Sequence, residues 1–152
     1  MIKVWLFLHL LGFVLWIGGA VASMVAGASA RSEGRAGLGV AVRAQAAMQK
    51  VLIAPGALLT VLSGLILTFR VTGRTGELVG FNSWLVLMQA TGIIGALVAL
   101  LISLPTASKL ARLDPAGPHA AYFDELRARQ KVTSSIAGVF ALVALVGGVM
   151  VR

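Results

Sequence analysis

WLFLHLLGFVLWIGGAVASMVAG, residues 5–27, contains one histidine, His9, and no charged side chain. A helix rises 1.5 Å per residue, so about 20 apolar residues cross the ~30 Å hydrocarbon core of a bilayer. This run is long enough to do so, which puts an imidazole at membrane depth with no charge beside it.

The rest of the chain repeats the pattern. Apolar residues gather into stretches at 4–30, 51–69, 81–108 and 132–151, and each can supply one span. Of the 152 residues 59% are apolar and 12% charged, too few charges for the surface of a soluble domain. The expectation is an all-α protein: one integral membrane domain over residues 1–152, folded as a four-transmembrane-helix bundle. Lys3 before the first run and Ala28-Ser29-Ala30 after it resemble a cleavable leader. The run is about twice the 7 to 15 apolar residues of such a signal and carries His9, so it reads as a span.

Without cysteine, disulfides, thiolate metal sites and cysteine nucleophiles are excluded. The net charge of +8 is spread over loops and belongs to no basic domain, so it implies lipid rather than nucleic acid. An even number of spans puts both termini and the middle loop on one side, with Lys3, Arg70, Arg74 and Arg152. The other side takes Arg31, Arg35, Arg43, Lys50, Lys109, Arg112, Arg127, Arg129 and Lys131. Positive charge favours the cytoplasm, so both termini are expected on the outer side.

Lipid is as apolar as leucine, so helix contacts should be marked by small and polar residues. Trp5, His9, Gly12, Trp16, Gly19 and Ser23 form one such stripe on the first span. Gly56, Thr60, Gly64 and Thr68, with Ser63 adjacent, mark the second. Gln89, Gly92, Ala96, Ala99 and Ser103 mark the third, and Ser134 or Ser135 with Gly138 the fourth. Ser32 to Gly37 reads as a turn, followed by an Ala-rich helix from Val40 to Lys50 that runs into the second span and makes Pro55 interior. Arg70 to Gly80 reads as a short hairpin, with Trp84 and Phe81 as interface anchors. Residues 119–132 read as an extension of the last span, with Tyr122, Leu126 and Arg129 on one face and local Asp124–Arg127 or Glu125–Arg129 pairs.

His9 admits three readings: a histidine hydrogen-bonded between helices, a ligand of haem iron or copper, or a proton carrier. It lies six residues past Lys3, roughly 9 Å along a helix, so a ligand site would sit near the outer surface. Gly12 leaves room beside the imidazole, Trp16 offers a flat ring, and Gln89 is an amide that needs partners in hydrocarbon. Met88 enters from the same side and could supply a second ligand, as could a second His9 across a dimer axis. Met24, fifteen residues below, is about 22 Å away and cannot. No carboxylate lies within the spans, which removes the usual proton pathway and paired-carboxylate hydrolysis. Three protein ligands for zinc cannot be assembled around His9.

LHLLGFVLWIGG (8–19), PGALLTVLSGL (55–65) and LPTASKL (104–110) resemble small bacterial integral membrane proteins of the uncharacterised four-helix family DUF2269. More distantly, the chain is similar to the copper-resistance D domain and to HemJ-type protoporphyrinogen oxidases. The resemblance implies a multi-pass protein of the bacterial inner membrane. In the HemJ type a first-helix histidine is an axial haem ligand, and His9 is the matching position. The essential lysine and histidine-rich surround of that type have no counterpart here, which separates this chain from the oxidase activity. The reading is therefore a haem b protein with an electron-transfer or redox-sensing role, its site built from His9, Gly12, Trp16, Met88 and Gln89, with copper as the alternative metal at His9. The electron-transfer partner is unspecified. The rival is a membrane scaffold or small permease in which His9 is structural.

Overall fold

The computed structural model describes residues 2–75 and 82–151. Every regular element among them is helical: α1 is Ile2–Ser29, α2 Gly34–Met48, α3 Ala54–Thr75, α4 Ser83–Leu97, α5 Leu104–Leu110 and α6 Ala120–Met150. α2 runs on into α3 and α4 into α5, giving an all-α bundle of four long apolar helices, each of membrane-spanning length. They reach beyond the apolar stretches: the second begins at Gly34, not Val40, and the fourth at Ala120. Glycine suits the start of α2, where Gly34 has φ 68°, a backbone region that side chains disfavour. The expected hairpin falls largely on residues 76–81, outside the described residues.

The four helices assort as two tight pairs, α1 with α3 and α4 with α6. The first pair meets backbone to backbone. A Cβ placed on Gly12 would lie 2.8 Å from the Thr60 nitrogen, and one on Gly56 2.7 Å from the Gly12 oxygen. In the second pair a Cβ on Gly147 would lie 3.1 Å from the Met88 nitrogen. Such close approach lets dispersion act along the whole contact where oily side chains give no preference over lipid. Trp16, 2% exposed, joins the pairs: it packs in one core with Ile53, Ala57, Ala96, Ala99, Ala137 and Ala141, and its ring reaches α4 over Gly95. The inward face of α6 is thus made of Ala137, Ala141, Ala144 and Gly147; a Cβ on Gly138 would touch nothing within 4 Å.

Two prolines shape the middle. Pro55 has no N–H to offer the Val51 carbonyl, and Pro105 none for Leu101. Each is preceded by a π turn, Gln49–Ile53 and Val98–Ser103, in which Ala54 N–H reaches Gln49 O and Leu104 N–H reaches Ala99 O. Gln49, 3% exposed, donates from Nε2 to Ala99 O at 3.1 Å, tying one π turn to the other.

Away from the termini, Val42, Leu110, Phe123 and Leu126 form a second small core. Phe123 is fully buried there beside Leu126, which stands on the expected face, while Tyr122 of that face is exposed. Asp124 pairs with Arg35 at 3.1 Å rather than with its helical neighbour Arg127. Arg35 also donates to Pro115 O at 2.7 Å, holding the loop before α6 against α2.

Candidate functional site

At the end of the bundle that carries Ile2 and Met150, the two helix pairs separate and enclose a cleft of about 580 Å³. That size suits a small-molecule site. All four long helices line it, and its few polar side chains include His9, Thr60, Thr68 and Gln89. The walls are otherwise mainly leucine, isoleucine, valine and phenylalanine, and Trp16 lies at the deep end.

His9 faces α3 with one edge. Its Nδ1 lies 2.8 Å from Thr60 O, and a carbonyl only accepts, so Nδ1 carries the proton. The neutral ring then holds its lone pair on Nε2. No hydrogen bond to Nε2 is formed among the described residues. Ser63, 1% exposed, donates to Leu59 O and lies 3.4 Å from Nδ1. A Cβ on Gly64 would lie 3.0 Å from His9 Cε1, so it is this glycine of α3 that makes room for the imidazole.

The other polar groups are engaged with the frame. Thr60 donates to Gly56 O at 2.8 Å and Thr68 to Gly64 O at 3.1 Å. Gln89 donates from Nε2 to Thr68 Oγ1 at 2.7 Å, bridging α4 to α3. A hydroxyl that has turned its proton to its own helix and accepts from a neighbour is a satisfied group in hydrocarbon.

His9, Trp16, Met88 and Gln89, singled out from the sequence, all line this cleft. Gly12 does not; it serves the α1–α3 crossing. Met88 sets its sulfur against α6, 3.1 Å from where a Cβ of Gly148 would stand. Trp5, half-buried, has the Arg70 guanidinium 6.0 Å from its ring centroid, within cation–π range. The sequence reading put Thr60 on the stripe of the second span but not its carbonyl, which fixes the tautomer, against His9, because a backbone acceptor has no residue signature. Thr68 stood on the right stripe, but its pairing with Gln89 was not anticipated.

Among the described residues no three His, Asp or Glu side chains gather as a metal-ligand cluster. A haem asks for less: one imidazole lone pair, a fixed tautomer and apolar walls. The donor set here fits that demand, with His9 Nε2 as the nitrogen and Met88 as the thioether on the same cleft. No family model matches the chain, and neither a curated protein nor a solved structure matches it.

Proposed function

We propose that this small multi-pass membrane protein holds haem b in the cleft through His9 and uses it to pass electrons or to sense a redox condition. One observation carries the reading: the His9 Nδ1–H bond to Thr60 O at 2.8 Å leaves Nε2 as a free lone pair on a side chain that lines an apolar cleft. Hydrogen bonding at the far nitrogen orients a ligating imidazole and raises its basicity. Thr60 thus acts through His9, Gly64 leaves the space for the ring, and Trp16 closes the deep end against water. Met88, on the same cleft, would be a second residue able to hold the group. Haem, when bound, supplies the one-electron chemistry of its iron.

The expected result is a Soret band in protein purified from haem-replete cells, shifted by dithionite and lost in His9→Ala. A colourless wild-type protein overturns the reading. The same bond favours a second reading, in which His9 serves only to join α1 to α3; colourless protein with a lowered melting temperature in His9→Ala would support it. Copper at His9 and Met88 is the alternative metal, and elemental analysis of the same sample distinguishes it from iron. The likeness to the DUF2269 family belongs to this proposal and rests on the stretches quoted above.

The nine-to-four division of Lys and Arg between the two sides supports a reading in which both termini lie outside an inner membrane. A C-terminal reporter active only outside the cytoplasm should therefore be active. Activity of a cytoplasmic reporter instead would invert the orientation and leave the cleft reading untouched.

A further inference from the structure

We infer that the cleft admits an acyl chain of a phospholipid from the surrounding leaflet, through the seam between α1 and α6. The inference does not rest on the haem reading: a cleft of about 580 Å³ holds one such occupant, and the lipid chain fills it where haem is not bound. The exposed residues of its lining belong to α1 and α6: Leu6 and Leu10, 47% and 55% exposed, with Gly148 and with Leu145 and Val149, 44% and 73% exposed. The lining residues of α3 and α4 are buried or half-buried, so the cleft opens at the seam between α1 and α6.

The other loose seam is closed. Between α3 and α4 the Gln89 amide bridges to Thr68 at 2.7 Å, whereas no hydrogen bond joins α1 to α6 among the described residues. The gap is apolar on both sides, so in a bilayer its natural occupant is hydrocarbon. A void of about 580 Å³ left empty would forfeit the dispersion contacts of its whole lining, and an apolar lining does not hold water.

The mouth carries a charge that suits the headgroup. Lys3 is exposed and stands three residues before Leu6 and seven before Leu10, on the same face of α1. It is placed to meet a phosphate when the tail lies in the seam below it. From Lys3 to Trp16 is thirteen residues, roughly 20 Å along the helix, about the reach of a phospholipid tail from its headgroup. Trp16 is 2% exposed, and the cleft is the route by which a lipid chain would come to it.

That placement makes Trp16 the reporter. With Trp5→Phe and Trp84→Phe, the chain retains Trp16 as its only tryptophan, and it can be reconstituted in vesicles of phosphatidylcholine brominated near the chain ends. Emission is read as a ratio to the same preparation in unbrominated lipid, on protein prepared without haem so that the cleft is open to the chain. The expected result is a loss comparable to that of a tryptophan at the depth of Trp16 but facing lipid, Val14→Trp at a position 65% exposed, with Trp5, Trp16 and Trp84 replaced by phenylalanine. Leu145→Phe should restore most of the emission by filling the gap from α6, Leu10→Phe should do so from the α1 side, and Leu62→Phe, on the outer face of α3, should not. Unquenched Trp16 beside a quenched tryptophan at position 14 overturns the inference. So does quenching that persists in both seam variants.

Discussion

Gly56→Val is expected to force α1 away from α3 and to cost about 3 kcal/mol of stability. The clash cannot be relieved by a rotamer: a Cβ on Gly56 would stand 2.7 Å from both the Gly12 oxygen and the Trp16 nitrogen, and 3.0 Å from Leu15 Cβ. Two of those are backbone atoms of a helix, so the helix as a whole must move. Moving it also breaks the contact that brings Thr60 O to His9, and the site should fail with the fold. The check is the melting temperature in detergent, followed by size exclusion. Gly18→Val is the matched control, since a Cβ there meets nothing within 4 Å and surface changes of this kind stay within about 0.5 kcal/mol. Equal losses in the two variants would show that propensity, not the crossing, governs the effect.

Trp16→Ala should have an effect of similar size for the opposite reason. Trp16 is among the largest fully buried side chains and packs against alanines of three other helices, neighbours too short to collapse into the space it leaves. In soluble cores such a truncation costs about 3–5 kcal/mol. Here the transfer part is small because lipid is itself apolar, leaving about 3 kcal/mol for the packing part. Removing the ring also deepens the cleft into the centre of the bundle. The loss should appear in the melting temperature and be largely recovered in Trp16→Phe. By contrast, the single interhelical hydrogen bond of His9 is worth about 0.6 kcal/mol in a membrane. A His9→Ala variant that unfolds as readily as Trp16→Ala would contradict this ordering.

Much of this architecture can be read from the chain because lipid makes the inward code simple. Gly12, Trp16 and Gly19 stand on one stripe and are all buried; Thr60 and Ser63 likewise. The code weakens where the partner is alanine, which is small but not polar, and so α6 was assigned its face by serines and Gly138 rather than by Ala137, Ala141 and Ala144. It fails outside the apolar stretches. Gln49 lies among Arg43, Gln45 and Lys50 in a segment that looks solvated, yet its amide is buried against the π turn that follows α4. Asp124 has basic neighbours on its own helix, but its partner, Arg35, is 89 residues away. The four side chains that line the cleft were legible because polar, aromatic and sulfur-bearing groups in hydrocarbon are few. The carbonyl that orients His9 was not, since every residue has one.

Each π turn holds one residue more than the α-helical turn it replaces. At 3.6 residues per turn, one residue is about 100° of rotation; the wide turn absorbs most of it, so the side-chain patterns of α2 and α3, and of α4 and α5, are offset by one residue in sequence while each helix runs on in space. The two halves of these two helices answer to different neighbours: the upper halves to the cleft, the lower halves to Phe123, Arg35 and the Gln49–Ala99 bond. Deleting a single residue from Gln49–Ile53 would return that turn to α geometry and leave α2 near its place, whereas deleting one from the α-helical run Ala54–Thr75 would turn every side chain on one side of the cut by about 100°. The length of this protein is forgiving; its phase is not.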